Sequence, residues 1–344
     1  MKAIFLMAVA VTAMADLSYE STSQITGGMM VQMANMPMVG GKFKEALKPI
    51  QTKVALKGDQ LIHRSDRSAT IIDVAKETFT TIDFENKTYS VVGFAEMKAA
   101  YEKAMARMSS EVKQKQDVKM NMQFDLKDTQ KTSTIGGLPC KEILLQAKTV
   151  ATDPQTGKAG EFVLNNVMCI AKDVPGSDEY RKFHAKMAEK MNFDPSTLQS
   201  AQAGFFGQSL SQMQKQAALM DGMPILQYVT AGATADALPT SIEAAEAQAK
   251  ASADAQAQAP KGPSGKDVMG AAAGSVLGGF GGFGKKKSSP PPSEAPAAGQ
   301  GQASTVMQMR ITTTGFSTGA VDASIFQVPA GFQQVENDFV KRSK

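Results

Sequence analysis

The segment at residues 69–108, ATIIDVAKETFTTIDFENKTYSVVGFAEMKAAYEKAMARM, constrains the fold of this chain more than any other. Three short runs rich in Ile, Val, Thr, Phe and Tyr are separated by polar breaks, and the last leads straight into a methionine-striped stretch. β-Branched and aromatic residues at that density favour strands, and the breaks read as hairpin turns. With one turn at 76–78 and the next at Glu85-Asn86, side-chain alternation puts Ile72, Val74, Ile82, Phe84, Tyr89 and Val91 on one face. Met97, Ala100, Tyr101, Ala104, Met105, Met108 and Val112 recur at helical spacing, so a helix near 94–113 can lie across that face. The expectation is an α+β fold: a largely antiparallel sheet with an apolar face and a helical cover.

Other segments extend the same pattern. Residues 17–31 form a first or edge strand, and 52–65 form a hairpin turning at Lys57-Gly58-Asp59. Val118, Met120, Met122, Phe124 and Leu126 alternate strictly with polar residues, the cleanest half-buried strand in the chain. A second helix spans 177–191 behind Pro175-Gly176, with Tyr180, Phe183, His184, Met187, Ala188 and Met191 as its stripe. A third is expected over 195–221, opened by Asp194-Pro195 and closed by Asp221-Gly222. Strands are expected at 225–231, 305–316 and 324–328.

The N-terminus carries Lys2, an apolar run at 3–11 and Ala13-Met14-Ala15, the order of a secretory signal peptide cleaved after residue 15. No other stretch offers the roughly 20 continuous apolar residues that span a bilayer, so a soluble, exported and periplasmic product is expected. The domain plan is then 1–15 signal peptide, 16–231 main domain, 232–304 low-complexity insert, 305–335 closing strands and 336–344 polar tail. Formal charge is only +4, with Lys and Arg interspersed among Asp and Glu, which argues against a nucleic-acid partner. The 22 methionines can serve as pliable core or as a forgiving ligand wall.

Cys140 and Cys169 lie in two expected strands either side of the turn at 153–157, and their midpoint falls inside it. A plain hairpin sets them opposite or nearly so, which suggests a disulfide in an exported protein. A one-residue slip would send them to opposite faces and forbid it. Two buried free thiols are the alternative.

Motifs for catalysis fall short. His63 and His184 are the only histidines, and neither forms metal-site spacing with the cysteines. Gly207-Gln208-Ser209-Leu210-Ser211 misses the nucleophile elbow at its last position. The literal G-x-G-x-x-G at 279–284 sits in an Ala/Gly run, and Lys286 stands where a phosphate loop needs Ser or Thr. No enzyme, cofactor or metal is expected. In the insert, Gly270, Gly274, Gly278 and Gly282 recur every four residues before Lys285-Lys286-Lys287, so 268–287 reads as a flexible linker or a transient membrane contact.

The phrases TIIDVAKETFTTIDFENKTYSVVGFAEMKAA, STIGGLPCKEILLQ, MCIAKDVPGSDEYRKFHAKMAEKM and DASIFQVPAGF resemble an exported bacterial family, the domain of unknown function 4412. That family is similar in turn to the LolA-like periplasmic lipoprotein carriers. The resemblance covers most of residues 16–230 and 305–335. It implies a curved antiparallel sheet or incomplete β-barrel, with helices covering the concave face above an apolar cavity that shelters acyl chains. On that reading Ile72, Val74, Ile82, Phe84, Tyr89 and Val91 form one wall. Met97, Met105, Met108, Phe183 and Met187 form a movable lid, and the partner is a lipid or acylated protein. The alternative is a structural envelope protein whose core is filled by those same side chains.

Overall fold

Two antiparallel meanders share one sheet in the computed structural model, which describes residues 16–34, 44–115, 119–152, 159–191, 217–258 and 305–343. The first meander runs through β1 (Leu17–Gly27), β2 (Ile50–Lys57), β3 (Gln60–Arg64), β4 (Ser68–Asp73), β5 (Thr78–Asp83) and β6 (Thr88–Gly93). The second runs through β7 (Lys119–Ile135), β8 (Leu138–Thr152), β9 (Ala159–Ala171), β10 (Met223–Gly232) and β11 (Thr305–Ser317). β11 closes onto β1, and the two-residue β12 (Gln333–Gln334) adds in parallel to β6. The twelve strands lie in the order β12-β6-β5-β4-β3-β2-β1-β11-β10-β9-β8-β7, an unclosed sheet that is antiparallel except at β12. The helices are α1 (Met29–Ala34), α2 (Phe94–Lys115), α3 (Ser177–Met191), α4 (Ile242–Gln258) and α5 (Asp338–Ser343). The fold is α+β, as expected.

Turn chemistry explains the first meander. Gly58 takes a left-handed φ of 58° in the two-residue turn between β2 and β3, a conformation glycine adopts without steric cost. The β4–β5 and β5–β6 loops have four residues each and the same construction. Asp73 Oδ1 accepts from the Lys76 amide at 2.9 Å, and Asp83 Oδ1 accepts from the amides of Glu85 and Asn86 at 3.0 and 2.9 Å. Glu77 and Lys87 close the loops at φ 54° and 52°.

The loop length sets the register, and it corrects an expectation. Ile72 pairs with Phe79, where a turn at 76–78 would have paired it with Ile82. An odd shift in register exchanges the faces. Ile72 and Val74 therefore join Val54, Leu56, Leu61 and Phe79 in the main core, beneath Phe183 and Met187 of α3. Ile82, Phe84 and Tyr89 lie on the other side with Ala55, Ile62, Ala69 and Ile71, covered by Ile325, Phe326, Val328 and Phe332. Val91 pairs with Thr80 and is 40 % exposed. The helix over this meander is α3, whereas α2 packs Met97 and Ala100 beside Val92 and Val340 at the β6 edge.

α3 is positioned from both ends. Gly176, at φ 79°, precedes it, and a Cβ there would come within 2.7 Å of Leu17 Cδ1. Along the helix Lys186 binds Asp59 in the β2–β3 turn at 2.6 Å, and Lys190 binds Glu77 in the β4–β5 loop at 2.9 Å. Arg181 binds Asp178 and Asp221. α4 contacts β1, β9 and β10 instead, burying Ile242 and Ala245. Glu142 Oε2 accepts from the Ile242 amide at 2.9 Å, and Gln308 Nε2 donates to the Ala245 carbonyl at 2.8 Å.

Several sequence boundaries shift. β1 is central, between β2 and β11, and its strand ends at Gly27 before α1. The Ala/Gln-rich tract assigned to the insert is largely α4 and contributes to the core, because its alanines fit close to the sheet. The strand expected at 324–328 is a 3-10 turn at Ala323–Phe326, capped by Asp322 accepting from the Ser324 amide. The expected polar tail folds as α5 and buries Val340. Residues 1–15 and 268–287, and most of the helix expected at 195–221, lie outside the described residues, where 217–220 form a 3-10 turn.

Cys140 and Cys169 form a disulfide, with their Cα atoms 5.4 Å apart. The ladder pairs Cys169 with Glu142, so the bridge runs diagonally between β8 and β9. That is a two-residue offset from the midpoint expectation, and an even offset keeps both sulfurs on one face. The bridge closes a loop of 29 residues' separation. Replacing both cysteines with alanine should lower unfolding free energy in urea by about 2–4 kcal/mol; an unchanged midpoint and slope would show that the ladder alone holds this hairpin.

Candidate functional site

Two concavities border α3, one at each end. The first is an apolar groove of about 250 Å³ lined by Met97, Lys98, Tyr101, Met191 and Phe339, where α2, α3 and α5 meet. Tyr101 and Phe339 are 46 % and 41 % exposed, uncommon values for aromatic side chains side by side. A neighbouring depression of about 450 Å³ includes Val91, Val335 and Val340 together with Glu96, Glu336 and Asn337. Val91 and Val335 are also exposed, so apolar surface continues around α5.

The second concavity lies between α3 and the middle of the sheet and has a different character. Its volume is about 210 Å³, and it is lined by Tyr19, Ser21, Thr52, Val54, His63, Tyr180, Met223, Pro224, Gln227 and Thr313. None of these is Asp, Glu, Lys or Arg. Tyr19 and Tyr180 meet edge to face, with ring centroids 6.2 Å apart. The Tyr180 ring packs against His184 at a tilt, with ring centroids 4.2 Å apart. Burial pushes both tyrosine hydroxyls above their ordinary range, so they stay protonated.

The chain's two histidines are brought together here. His63, on β3, pairs across the ladder with Val54 and Thr70, and lies close enough to His184 on α3 to act on it electrostatically. Burial lowers the pKa of His63. Burial lowers that of His184 too, with a further push from the nearby His63. The His184 Nε2 is buried without a hydrogen-bond partner. Sequence alone separated the pair, one in a strand and one on an apolar helix stripe.

Of the residues expected to line a ligand cavity, Ile72, Val74, Phe183 and Met187 do come together, but packed against one another in the main core. Ile82, Phe84 and Tyr89 share the opposite face, where Phe84 also stacks under the Arg64 guanidinium at 4.7 Å. Met97 alone of the expected lid lines the apolar groove, and the side chains of Met105 and Met108 lie outside the described residues. Among the described residues no three His, Cys, Asp or Glu side chains converge as metal ligands, and no helix is long and apolar enough to cross a membrane.

The histidine pair makes a pH prediction. Both folded-state pKa values lie below the ordinary 6.5. An unfolded chain therefore binds protons that the folded one refuses, and stability falls as pH drops below about 6.5 toward the folded values. Asp16, Asp73 and Asp83 are held below the carboxylate value of 3.8, so their loss comes at distinctly lower pH. The melting temperature should fall between pH 7 and 5, and His63→Gln with His184→Gln should flatten that slope. An equal slope in the double variant would assign it elsewhere.

No protein-family model matches the chain, and no curated protein matches it.

Proposed function

We propose that the protein binds an apolar, lipid-like ligand without catalysis, in the groove formed by α2, α3 and α5. The carrying observation is the wall of that groove: Met97, Tyr101, Met191 and Phe339 around about 250 Å³, with Lys98 the one charged residue. Methionines adapt to irregular apolar shapes, and two half-exposed aromatic rings offer area that water solvates poorly. An acyl chain gains about 0.8 kcal/mol for each methylene it buries and asks for few polar contacts.

This reading moves the ligand away from the face first expected to hold it, since Ile72, Val74, Phe183 and Met187 already fill one another's contacts. Kinship with the LolA-like carriers, cleavage after residue 15 and a periplasmic location belong to the same proposal, and so do a lipid or acylated protein as partner and the membrane contact through 268–287. The packed core favours the second reading, a structural envelope protein whose exposed edge meets another macromolecule.

Displacement of a fluorescent fatty acid separates the two. Tyr101→Asp and Phe339→Asp should each weaken binding at least tenfold, because each places a carboxylate in an apolar wall. Ile50→Asp, at a 55 % exposed site elsewhere in the described fold, should leave binding intact. Absence of binding by the native chain, or equal affinity in all four proteins, would favour the structural reading.

A further inference from the structure

The pocket beneath α3 is built for a ligand unlike the one the groove would take. Ser21 pairs across the ladder with Thr313 on one side and with Thr52 on the other. Directly paired residues point to the same face, so the three hydroxyl groups form a straight row across β11, β1 and β2. Adjacent strands lie about 4.8 Å apart, which makes the row roughly 10 Å long. The next row on this face is Tyr19, Val54 and His63. Gln227 Oε1 accepts from Asn166 Nδ2 at 3.1 Å, which leaves its amide nitrogen uncommitted. Among the described residues no side-chain hydrogen bond engages Ser21, Thr52, His63 or Thr313, although all four border the void.

We infer that this pocket binds one ring of an uncharged sugar. Its lining excludes the other classes by ordinary solvation arguments. A carboxylate, phosphate or ammonium would leave water with no charged partner on the wall, a heavy desolvation cost. An acyl chain would displace water from three hydroxyls, an imidazole and an amide and bond to none of them, leaving each buried polar group unsatisfied. A sugar hydroxyl both donates and accepts, which is also the capacity of Ser, Thr and a neutral imidazole. The remaining wall, Tyr19, Val54, Tyr180, Met223 and Pro224, is aromatic or apolar and suits the C–H face of a pyranose. A volume of about 210 Å³ accommodates one such ring and not a long chain. The sugar site stands apart from the apolar groove and does not depend on it.

Saturation-transfer NMR on the full chain tests this with methyl glucoside and N-acetylglucosamine as neutral probes. Glucuronate and glucosamine serve as charged probes of the same ring. Transfer to at least one neutral probe is expected, with affinity at least tenfold above that for the charged ones. Thr52→Val with Thr313→Val removes two hydroxyls at nearly constant volume and should reduce the neutral affinity at least tenfold, while fatty-acid displacement stays as in the native chain. Should that pair fail to fold, Ser21→Ala removes the central hydroxyl alone and carries the same expectation. No transfer to either neutral probe, equal transfer to charged sugars, or undiminished transfer in the variants would each overturn the assignment and leave a pocket occupied by water only.

Discussion

The pairing of β1 with β11 holds the molecule together. Each of the two meanders could form from local hairpins, but only this ladder, between residues 17–27 and 305–317, makes them one sheet. The junction is braced by a single carboxylate. Asp16 Oδ2 accepts from Lys57 Nζ at the end of β2 and from the Val321 amide just beyond β11, both at 2.7 Å. Burial alone would raise the Asp16 pKa, but the bonds from Lys57 and Val321 outweigh it and hold the group ionised. A contact between residues some 300 positions apart carries a loop-closure entropy cost that the local hairpins do not. Both concavities beside α3 depend on that ladder, since the polar pocket spans it directly and α3 rests on strands it aligns.

An unclosed sheet also leaves edges, which can recruit other chains. β6 is covered along its first residues by β12 and then by Asn337, whose side chain donates to Ser90 Oγ at 3.1 Å. At the other end β7 is long but carries Lys119, Asp125, Lys127, Asp128 and Lys131, and its register breaks between Asp128 and Thr132. Gln130 sits there at φ 62°, and Thr129 turns inward to donate to Glu142 Oε1 at 2.8 Å. A charged, broken strand makes a poor template for edge-to-edge pairing.

Much of this was legible in the sequence, and the failures have a common physical source. The helix expected near 177–191 corresponds to α3, because its stripe and its Pro-Gly entry are both local signals. The Cys140–Cys169 bridge survived a register offset because the offset was even, while the β4–β5 offset was odd and exchanged every side chain between faces. The missing quantity was the centre of the loop. It was present in the sequence as a ten-residue repeat, TIIDVAKETF followed by TTIDFENKTY, in which each Asp begins a loop that ends before Thr. A turn at Glu85-Asn86 is shorter than the observed loop at 84–87 but shares its centre, so its register holds, whereas a turn at 76–78 is off the centre of the loop at 74–77. The polar pocket had no such signal. Ser21, Thr52 and Thr313 align only through two ladders, one of them between the chain's distant ends, and His63 meets His184 only because α3 docks over β3.

The same helix borders both concavities, and its anchoring differs along its length. Tyr180 and Met191 are eleven residues apart, about 16 Å along the axis. Near the polar pocket, Phe183 is 3 % exposed and Tyr180 is wedged between Tyr19 and His184. Burial of an aromatic side chain is worth about 1.5–3 kcal/mol, a hold that salt does not weaken. Toward the groove Met187 and Met191 still pack on the main core, joined by Lys186–Asp59 and Lys190–Glu77, whose side chains are all more than a third exposed. Such pairs contribute about 0–1 kcal/mol each and fade with ionic strength. Apolar packing therefore holds α3 along its whole length, and the ion pairs are a small addition at the groove end. A small ring with fixed hydroxyl partners needs such a preorganised wall, whereas the adaptability an apolar chain asks for comes from the methionine side chains themselves.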